Sequence, residues 1–210
     1  MHTRSSVIDG LFAGQWATRI TCQKCQSTFT THQVWTGLQV PIPDGSRTTV
    51  QECLKAFCAP DKLNDYNCKP CGQATVAERT TILTRLPAIL VVSFNRYTGL
   101  SHQKRSTAID FPLSRLDMQP FMADTSPRPG EKIDPATAPP FAYDCYAVVR
   151  HIGSDARSGH YKAVCKDPGR RVWREFDDDR TRDFDPARDS KSLLDSKQAY
   201  ILFYERANPR

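Results

Sequence analysis

Two Cys-x-x-Cys pairs, Cys22-Gln23-Lys24-Cys25 and Cys68-Lys69-Pro70-Cys71, constrain this chain more than any other feature. The spacing lets a tight knuckle aim two sulfurs at one point, and Gly72 after the second pair supplies the positive φ that such a turn often needs. Two knuckles give four thiolates, and a soft tetrahedral sulfur set selects zinc. A site closed by four protein ligands keeps no position for water. One zinc ion held by Cys22, Cys25, Cys68 and Cys71 is therefore expected to brace the fold and not to catalyse. Reduced buried thiols and a redox pair are the competing readings, but a redox pair needs no second copy. The 42 residues between the pairs exceed ordinary zinc-ribbon spacing and must hold a strand near Val34 and a helix near Thr49.

The bulk properties narrow the class. A chain of 210 residues supports one sizeable core with a small appendage. The net charge of +6 is spread among both signs, as in Lys162, Lys166, Arg170 and Arg171 against Asp177, Asp178 and Asp179. That is a solvated surface and not a nucleic-acid footprint. No apolar run is long enough to span a bilayer, and Met1 to Gly10 lacks the apolar core of a signal peptide. The cysteines are thus expected in a reducing compartment, cytoplasm or nucleus, with Cys53, Cys58, Cys145 and Cys165 as packing residues.

Local patterns place the elements. Ser5 to Phe12 reads as a short helix and Trp16 to Thr21 as an extended entry to the first cysteine pair. Val34 to Val40 is β-like. Thr49 to Phe57 is the clearest helix, with capping-box spacing between Thr49 and Glu52 and apolar Val50, Cys53, Leu54 and Phe57 on one face. Thr80 to Thr84 is extended, and Pro87 to Phe94 reads as a strand buried on both faces. Met118 to Pro140 is a Pro-rich loop. Four β-like stretches follow, Asp144–Ile152, His160–Cys165, Val172–Phe176 and Gln198–Glu205, with the charged stretch around Pro186 as a turn.

The C-terminal part carries the functional signal: YDCYAVVRHIGSDARSGHYKAVCK, then RRVWREFDDD, then QAYILFYER. It resembles the histidine box of the ubiquitin-specific proteases, papain-like deubiquitinases whose pattern is Y-x-L-x-A-V-x-x-H-x-G, a short loop, G-H-Y, then W-x-x-F-[ND]-D and A-Y-x-L-x-Y. Upstream, Phe12-Ala13-Gly14-Gln15 with Arg19 and Cys22 resembles the family's entry into its zinc-bearing fingers. Leu38 to Ile42 resembles its L-x-[LV]-P-I strand, and Leu86-Pro87 with Phe94-Asn95-Arg96-Tyr97 its L-P-x-x-L-x-x-x-L-K-R-F segment. Phe111-Pro112 with Leu116-Asp117-Met118 resembles F-P-x-x-L-D-[LM]. Asn95 stands where the family usually has lysine.

The resemblance implies a partial papain-like α+β fold in one partial catalytic domain over 1–210. Its parts are a fingers subdomain (17–85), a mostly antiparallel palm (86–117 and 141–206) and a Pro-rich insertion (118–140). It implies that His160 is the catalytic histidine, Asp177 its orienting acid and Asp178 a second acid. It also implies that Gly159 leaves room for the narrow tail of ubiquitin beside Tyr161, and that ubiquitin and ubiquitinated proteins are the partners. His151 is expected to be a strand residue near a surface loop. The family's nucleophile segment, G-L-x-N-x-G-N-[ST]-C, has no counterpart between Met1 and Cys22. The chain is therefore expected to lack its nucleophile, to expose an apolar flank of the palm, and to be inactive alone or to need the missing part as a partner. A non-catalytic ubiquitin-binding module is the alternative from another class, and a zinc-ribbon nucleic-acid binder a third.

Overall fold

The computed structural model describes residues 6–97, 103–123, 141–155, 157–169, 172–186 and 197–207. The chain enters through α1 (Val7–Phe12), where Ser6 and Asp9 form a capping box. A hairpin of β1 (Gly14–Cys22) and β2 (Thr28–Trp35) runs out to the first cysteine turn and back. β3 (Leu38–Val40), β4 (Arg47–Thr49) and α2 (Val50–Cys58) follow. A second hairpin, β5 (Asp61–Cys68) and β6 (Gln73–Arg85), carries the second cysteine turn. Then come β7 (Ile89–Phe94), β8 (Ala108–Asp110) and β9 (Leu116–Asp117), and finally β10 (Ala142–Ile152), β11 (His160–Lys166), β12 (Trp173–Asp177), β13 (Arg180–Phe184) and β14 (Ala199–Arg206).

These strands form three sheets among the described residues. The fingers sheet has the order β2-β1-β6-β5, and the palm sheet β13-β12-β11-β10-β14-β7-β3 with β9 beside β10. β4 and β8 make a small parallel pair. The fold is thus mainly sheet with few helices, in the α+β class expected. Leu38 to Cys58 leaves the fingers sheet and joins the palm, where Leu38, Val40, Val50, Cys53 and Leu54 are fully buried.

α2 forms where the capping box marks it. Thr49 Oγ1 accepts from the Glu52 amide at 3.1 Å, and the Thr49 amide donates to Glu52 Oε2 at 2.8 Å. Each hydrogen bond satisfies a helix-terminal or flanking donor that the helix itself leaves open. The last turn of α2 reaches the root of the fingers: Phe57 packs edge-on to Trp16 at 5.7 Å, and Trp16 stacks on Trp35 at 6.1 Å.

Three expectations are corrected. Val34 to Val40 is not one strand: β2 ends at Trp35 and β3 begins at Leu38, in a different sheet and parallel to β7. Burial changes phase across the two-residue bend at Thr36-Gly37, from Trp35 to Leu38 and Val40, but apolar Val34, Leu38 and Val40 keep one phase in sequence and conceal it. β7 is not buried on both faces. Leu90, Val92 and Phe94 lie in the core, but Ile89, Val91 and Ser93 are half-buried. Ile201 and Phe203 of β14, Tyr146 and Val149 of β10 and Cys165 of β11 are half-buried too, on ladders that continue the Val91 and Ser93 rows, and Phe176 ends that apolar surface exposed. The charged stretch before Pro186 holds a strand, β13, whose Arg180, Arg182 and Asp183 stand opposite Asp177, Glu175 and Arg174 of β12. Of the expected loop at 118–140, Gln119–Phe121 is a short 3-10 turn and residues 124–140 lie outside the described residues.

The Phe94-Asn95-Arg96-Tyr97 segment earns its place through Arg96, which is fully buried. Its guanidinium donates to the carbonyls of Ala199 at 2.6 Å, Arg105 at 2.8 Å and Thr107 at 3.0 Å, tying β14 to the chain entering β8. Arg96→Met removes three charge-assisted donors while filling similar volume. It is expected to destabilise the palm by about 3 kcal/mol or more, since each buried carbonyl left unpaired costs about 1–3 kcal/mol. Urea unfolding followed by tryptophan fluorescence measures the loss.

Candidate active site and metal centre

The two cysteine turns meet because β1 pairs with β6, with Cys22 opposite Ala77. Each turn is a hydrogen-bonded knuckle. The Gln26 amide donates to Cys22 O and the Gly72 amide to Cys68 O, both at 2.9 Å, and Gly72 has φ +67°, where a Cβ would be strained. Cys22 Sγ lies 3.9 Å from Cys71 Sγ and Cys25 Sγ lies 3.6 Å from Cys68 Sγ. All four sulfurs fall within 4.8 Å of one another. Sulfurs about 2.3 Å from a tetrahedral zinc stand about 3.8 Å apart, so the four have the spacing of a closed metal site. Thr75 Oγ1, 3.4 Å from Cys22 Sγ, leads the contacts that hold the Cys22 thiol down at about 6, while neighbouring thiols, Cys25 first, push Cys71 up to about 12. Thiolates this close repel one another, and a divalent cation among them removes that conflict.

The second cluster lies on the palm. His160 opens β11 and Asp177 closes β12, and the two strands pair antiparallel. His160 Nε2 is 2.5 Å from Asp177 Oδ1. A carboxylate only accepts, so Nε2 carries the hydrogen, and in the neutral ring Nδ1 keeps the lone pair. Among the described residues no group bonds that Nδ1. Asp177 Oδ2 accepts from Lys162 Nζ at 2.6 Å. The Lys162 ammonium, and after it the His160 imidazole, hold the Asp177 carboxyl down at about 2. Asp178 is farther away: its Oδ2 is 4.0 Å from His160 Nε2 and its side chain is largely exposed. It sits first in the two-residue turn between Asp177 and Arg180, with φ +52°, a backbone state that aspartate tolerates better than most residues.

Gly159 and His151 shape the approach to His160. A Cβ on Gly159 would stand 2.2 Å from His151 Nε2, so the backbone before His160 is pressed against that ring. His151 is buried, its Nδ1 meets the Tyr97 hydroxyl, and its main-chain carbonyl accepts from Lys104 Nζ. Burial holds the imidazole below its ordinary value. Tyr161 packs on His151 at 4.7 Å and Tyr200 at 6.1 Å, on the face opposite His160. Sequence reasoning placed His151 on a strand near a surface loop, as β10 has it, but did not foresee its burial, and it passed over Lys162. The first is a backing wall for Gly159, and the second could have been found from its position two residues after His160, on the same strand face.

None of the other four cysteines has the character of an activated thiol. Burial pushes Cys53 and Cys58 up to about 11, Cys145 up to about 12, and Cys165 upward as well.

Two outcomes are expected. Chelator is expected to strip amide protection from β1, β2, β5 and β6 first while β7, β10 and β14 stay protected, read by hydrogen exchange with zinc release measured in parallel. Gly159→Ala forces the backbone off a buried ring and is expected to cost about 1–3 kcal/mol, with exchange rising in the β10–β11 hairpin.

Comparison with known proteins agrees with this geometry. The family pattern described as ubiquitin carboxyl-terminal hydrolase matches residues 1–204. Ubiquitin carboxyl-terminal hydrolase 4 of Saccharomyces cerevisiae is 33% identical over 98% of this chain and 23% of its own length. Human ubiquitin carboxyl-terminal hydrolase 21 is 30% identical over 96% of this chain and 34% of its own length. The chain therefore spans between a fifth and about a third of these relatives. Among solved structures, a chain of the yeast SAGA DUB module with an Sgf73 mutant superposes with a TM-score of 0.79 at 26% identity, over 100% of this chain and 44% of that one. A chain of a SAGA DUB module bound to monoubiquitin gives 0.77 at 25% identity, over 98% and 43%. With fold, cysteine cluster and histidine–acid pair in place and nearly the whole sequence matched, this chain belongs to the ubiquitin carboxyl-terminal hydrolase family.

Proposed function

We propose that the chain is the histidine–acid part of a cysteine-type deubiquitinase, which hydrolyses peptide and isopeptide bonds at the C-terminal glycine of ubiquitin. The supporting observation is the His160 ring: Nε2 is committed to Asp177 and Nδ1 is left with its lone pair and no bonded partner among the described residues. A base so arranged takes a proton from a thiol at Nδ1 and returns it to the leaving amine. Asp177 fixes the tautomer and balances the imidazolium charge, and Asp178 adds a weaker, solvated negative charge nearby. Gly159, with no side chain, leaves room for a narrow glycine-ended tail, with Tyr161 beside it. The fingers, braced by zinc at Cys22, Cys25, Cys68 and Cys71, hold the body of ubiquitin. The ion closes that site and supplies folding energy, not chemistry.

The nucleophile is supplied from outside these residues. Four cysteines belong to the metal cluster and the other four are held protonated by burial. The half-buried apolar face of Val91, Val149, Ile201 and Phe203, across the sheet from His160, offers a missing part of the domain a surface to pack against. The parts are proposed as fingers 17–85, palm 86–117 and 141–206, and insertion 118–140, working in cytoplasm or nucleus. Among the described residues no helix is long and apolar enough to cross a membrane. A non-catalytic ubiquitin-binding module is the second reading, favoured by the exposed run Thr28 to Val34 along β2.

Asp177 sets the pH behaviour. Its folded value is depressed to about 2, so its contribution is complete above the ordinary carboxylate range and is lost as pH falls toward 2. The purified chain is expected to bind ubiquitin and to leave a ubiquitin–fluorophore conjugate uncleaved. Joining a relative's nucleophile segment to its N-terminus is expected to produce cleavage. His160→Ala abolishes that cleavage, Asp177→Ala lowers kcat by about 100-fold or more, and Asp178→Ala has the smaller effect. Cleavage by the unjoined chain that is lost on His160→Ala overturns the external nucleophile. No cleavage by the joined protein, with ubiquitin still bound, favours the binding module.

A further inference from the structure

The strand register gives the orienting acid two partners, and the nearer one is a lysine. Ala163 pairs with Phe176, so one step along the ladder sets Lys162 directly across from Asp177 and leaves His160 as the diagonal neighbour. Directly opposed Cβ atoms stand about 4.5–5.5 Å apart and diagonal ones about 7–8 Å. Despite that difference in backbone position, both side chains reach the carboxylate and neither excludes the other: Lys162 Nζ takes Oδ2 at 2.6 Å and His160 Nε2 takes Oδ1 at 2.5 Å. With each oxygen claimed, the carboxylate cannot turn about its Cβ–Cγ bond without breaking a charge-assisted contact. The Lys162 side chain is 25% exposed, which shelters the pair from screening by salt.

The surroundings leave Lys162 to Asp177. Its ladder neighbour on β10, Arg150, turns to Glu175 at 2.5 Å, and Arg182 of β13 takes the other oxygen of Glu175 at 2.5 Å. Both nearby acids are thereby assigned, Glu175 to two arginines and Asp177 to Lys162 and His160. Among the described residues, Asp178 in the turn lies 4.0 Å from His160 Nε2, and Arg180 stands opposite Asp177 in the β12–β13 register. On β10, His160 pairs with Ile152, which brings no charge. His151 and Tyr161 pack together on the opposite face.

We propose that Lys162 is a positioning residue of this site: it shares the Asp177 carboxylate with His160, fixes the plane that receives the imidazole N–H, and tempers the negative charge presented to the imidazolium. The proposal rests on the reading of His160 and Asp177 as the working pair. Its consequence is a base that gives its proton back readily, because part of the carboxylate's charge is already spent on the ammonium. Arginine in place of Lys162 keeps the charge, and glutamine keeps a donor of similar length without it.

The test reads the ring itself. The chain has five histidines, and the His160 ring signal is identified by its loss in His160→Gln. At low salt, Lys162→Met is expected to raise the His160 titration midpoint by about half to one pH unit, and Lys162→Arg to restore it. Lys162→Gln gives the same rise and serves if the methionine variant does not fold. An unchanged midpoint overturns the proposal. So does a fall, which is what a merely structural role produces by letting Asp177 drift from the imidazole. The measurement needs neither nucleophile nor ubiquitin, so a raised midpoint beside a failed cleavage assay sinks the enzyme reading alone. A working enzyme with an unmoved midpoint sinks the lysine alone.

Discussion

The meeting of His160 and Asp177 depends on one constraint, the unbroken antiparallel pairing of β10, β11 and β12. β10 is the anchor of that ladder. It pairs with β11 on one side and β14 on the other, and β9 joins its start. Its register with β11 is unbroken from Ala147 to Ile152, so consecutive Arg150 and His151 point to opposite faces. Both are buried because both faces are covered there. On one face Arg150 meets Glu175, and on the other His151 meets Tyr97 and Gly159. One strand thereby supports the site from two faces.

The charged row beside the site is costly to build. Arg150 and Glu175 are nearly fully buried and 2.5 Å apart. A pair like this recovers its desolvation cost only when its geometry is good and its remaining groups are bonded, and it contributes more to specificity of arrangement than to stability. Arg182 satisfies the second oxygen of Glu175 from β13. The row fixes which acid faces which cation across four strands, and that assignment delivers Asp177 to the histidine.

Much of the site was legible in the sequence, and the reasons differ by residue. The cysteine pairs announce themselves because knuckle geometry is local. His160 and Asp177 were legible because motif spacing reflects a hairpin of near-constant length. α2 was legible because Thr49 and Glu52 satisfy each other within one turn. The split between β2 and β3 was hidden because Val34, Leu38 and Val40 keep one apolar phase in sequence, although Val34 is exposed and Trp35 is the buried residue. β13 and β5 were hidden because their residues are mostly exposed and polar, so no apolar period marks them. His151 and Lys162 were overlooked for a common reason. Their partners are Gly159, Tyr97 and Asp177, and which of these lie close is decided by register and not by spacing.

The joint between fingers and palm has a further consequence. Gly14, at the start of β1, stands opposite Trp35 at the end of β2, and Gln15 stands opposite Arg85 at the end of β6. Three chain crossings therefore lie side by side, clamped by the stack of Trp16, Trp35 and Phe57. Everything beyond that clamp is paired strand ending in sulfur. Inserting a two-residue step in each of the four strands would carry the metal outward by about 7 Å while every crossing stayed where it is. The architecture thus separates reach from registration: the arm's length is free to drift in evolution or to be set by design, while its aim is held at the root.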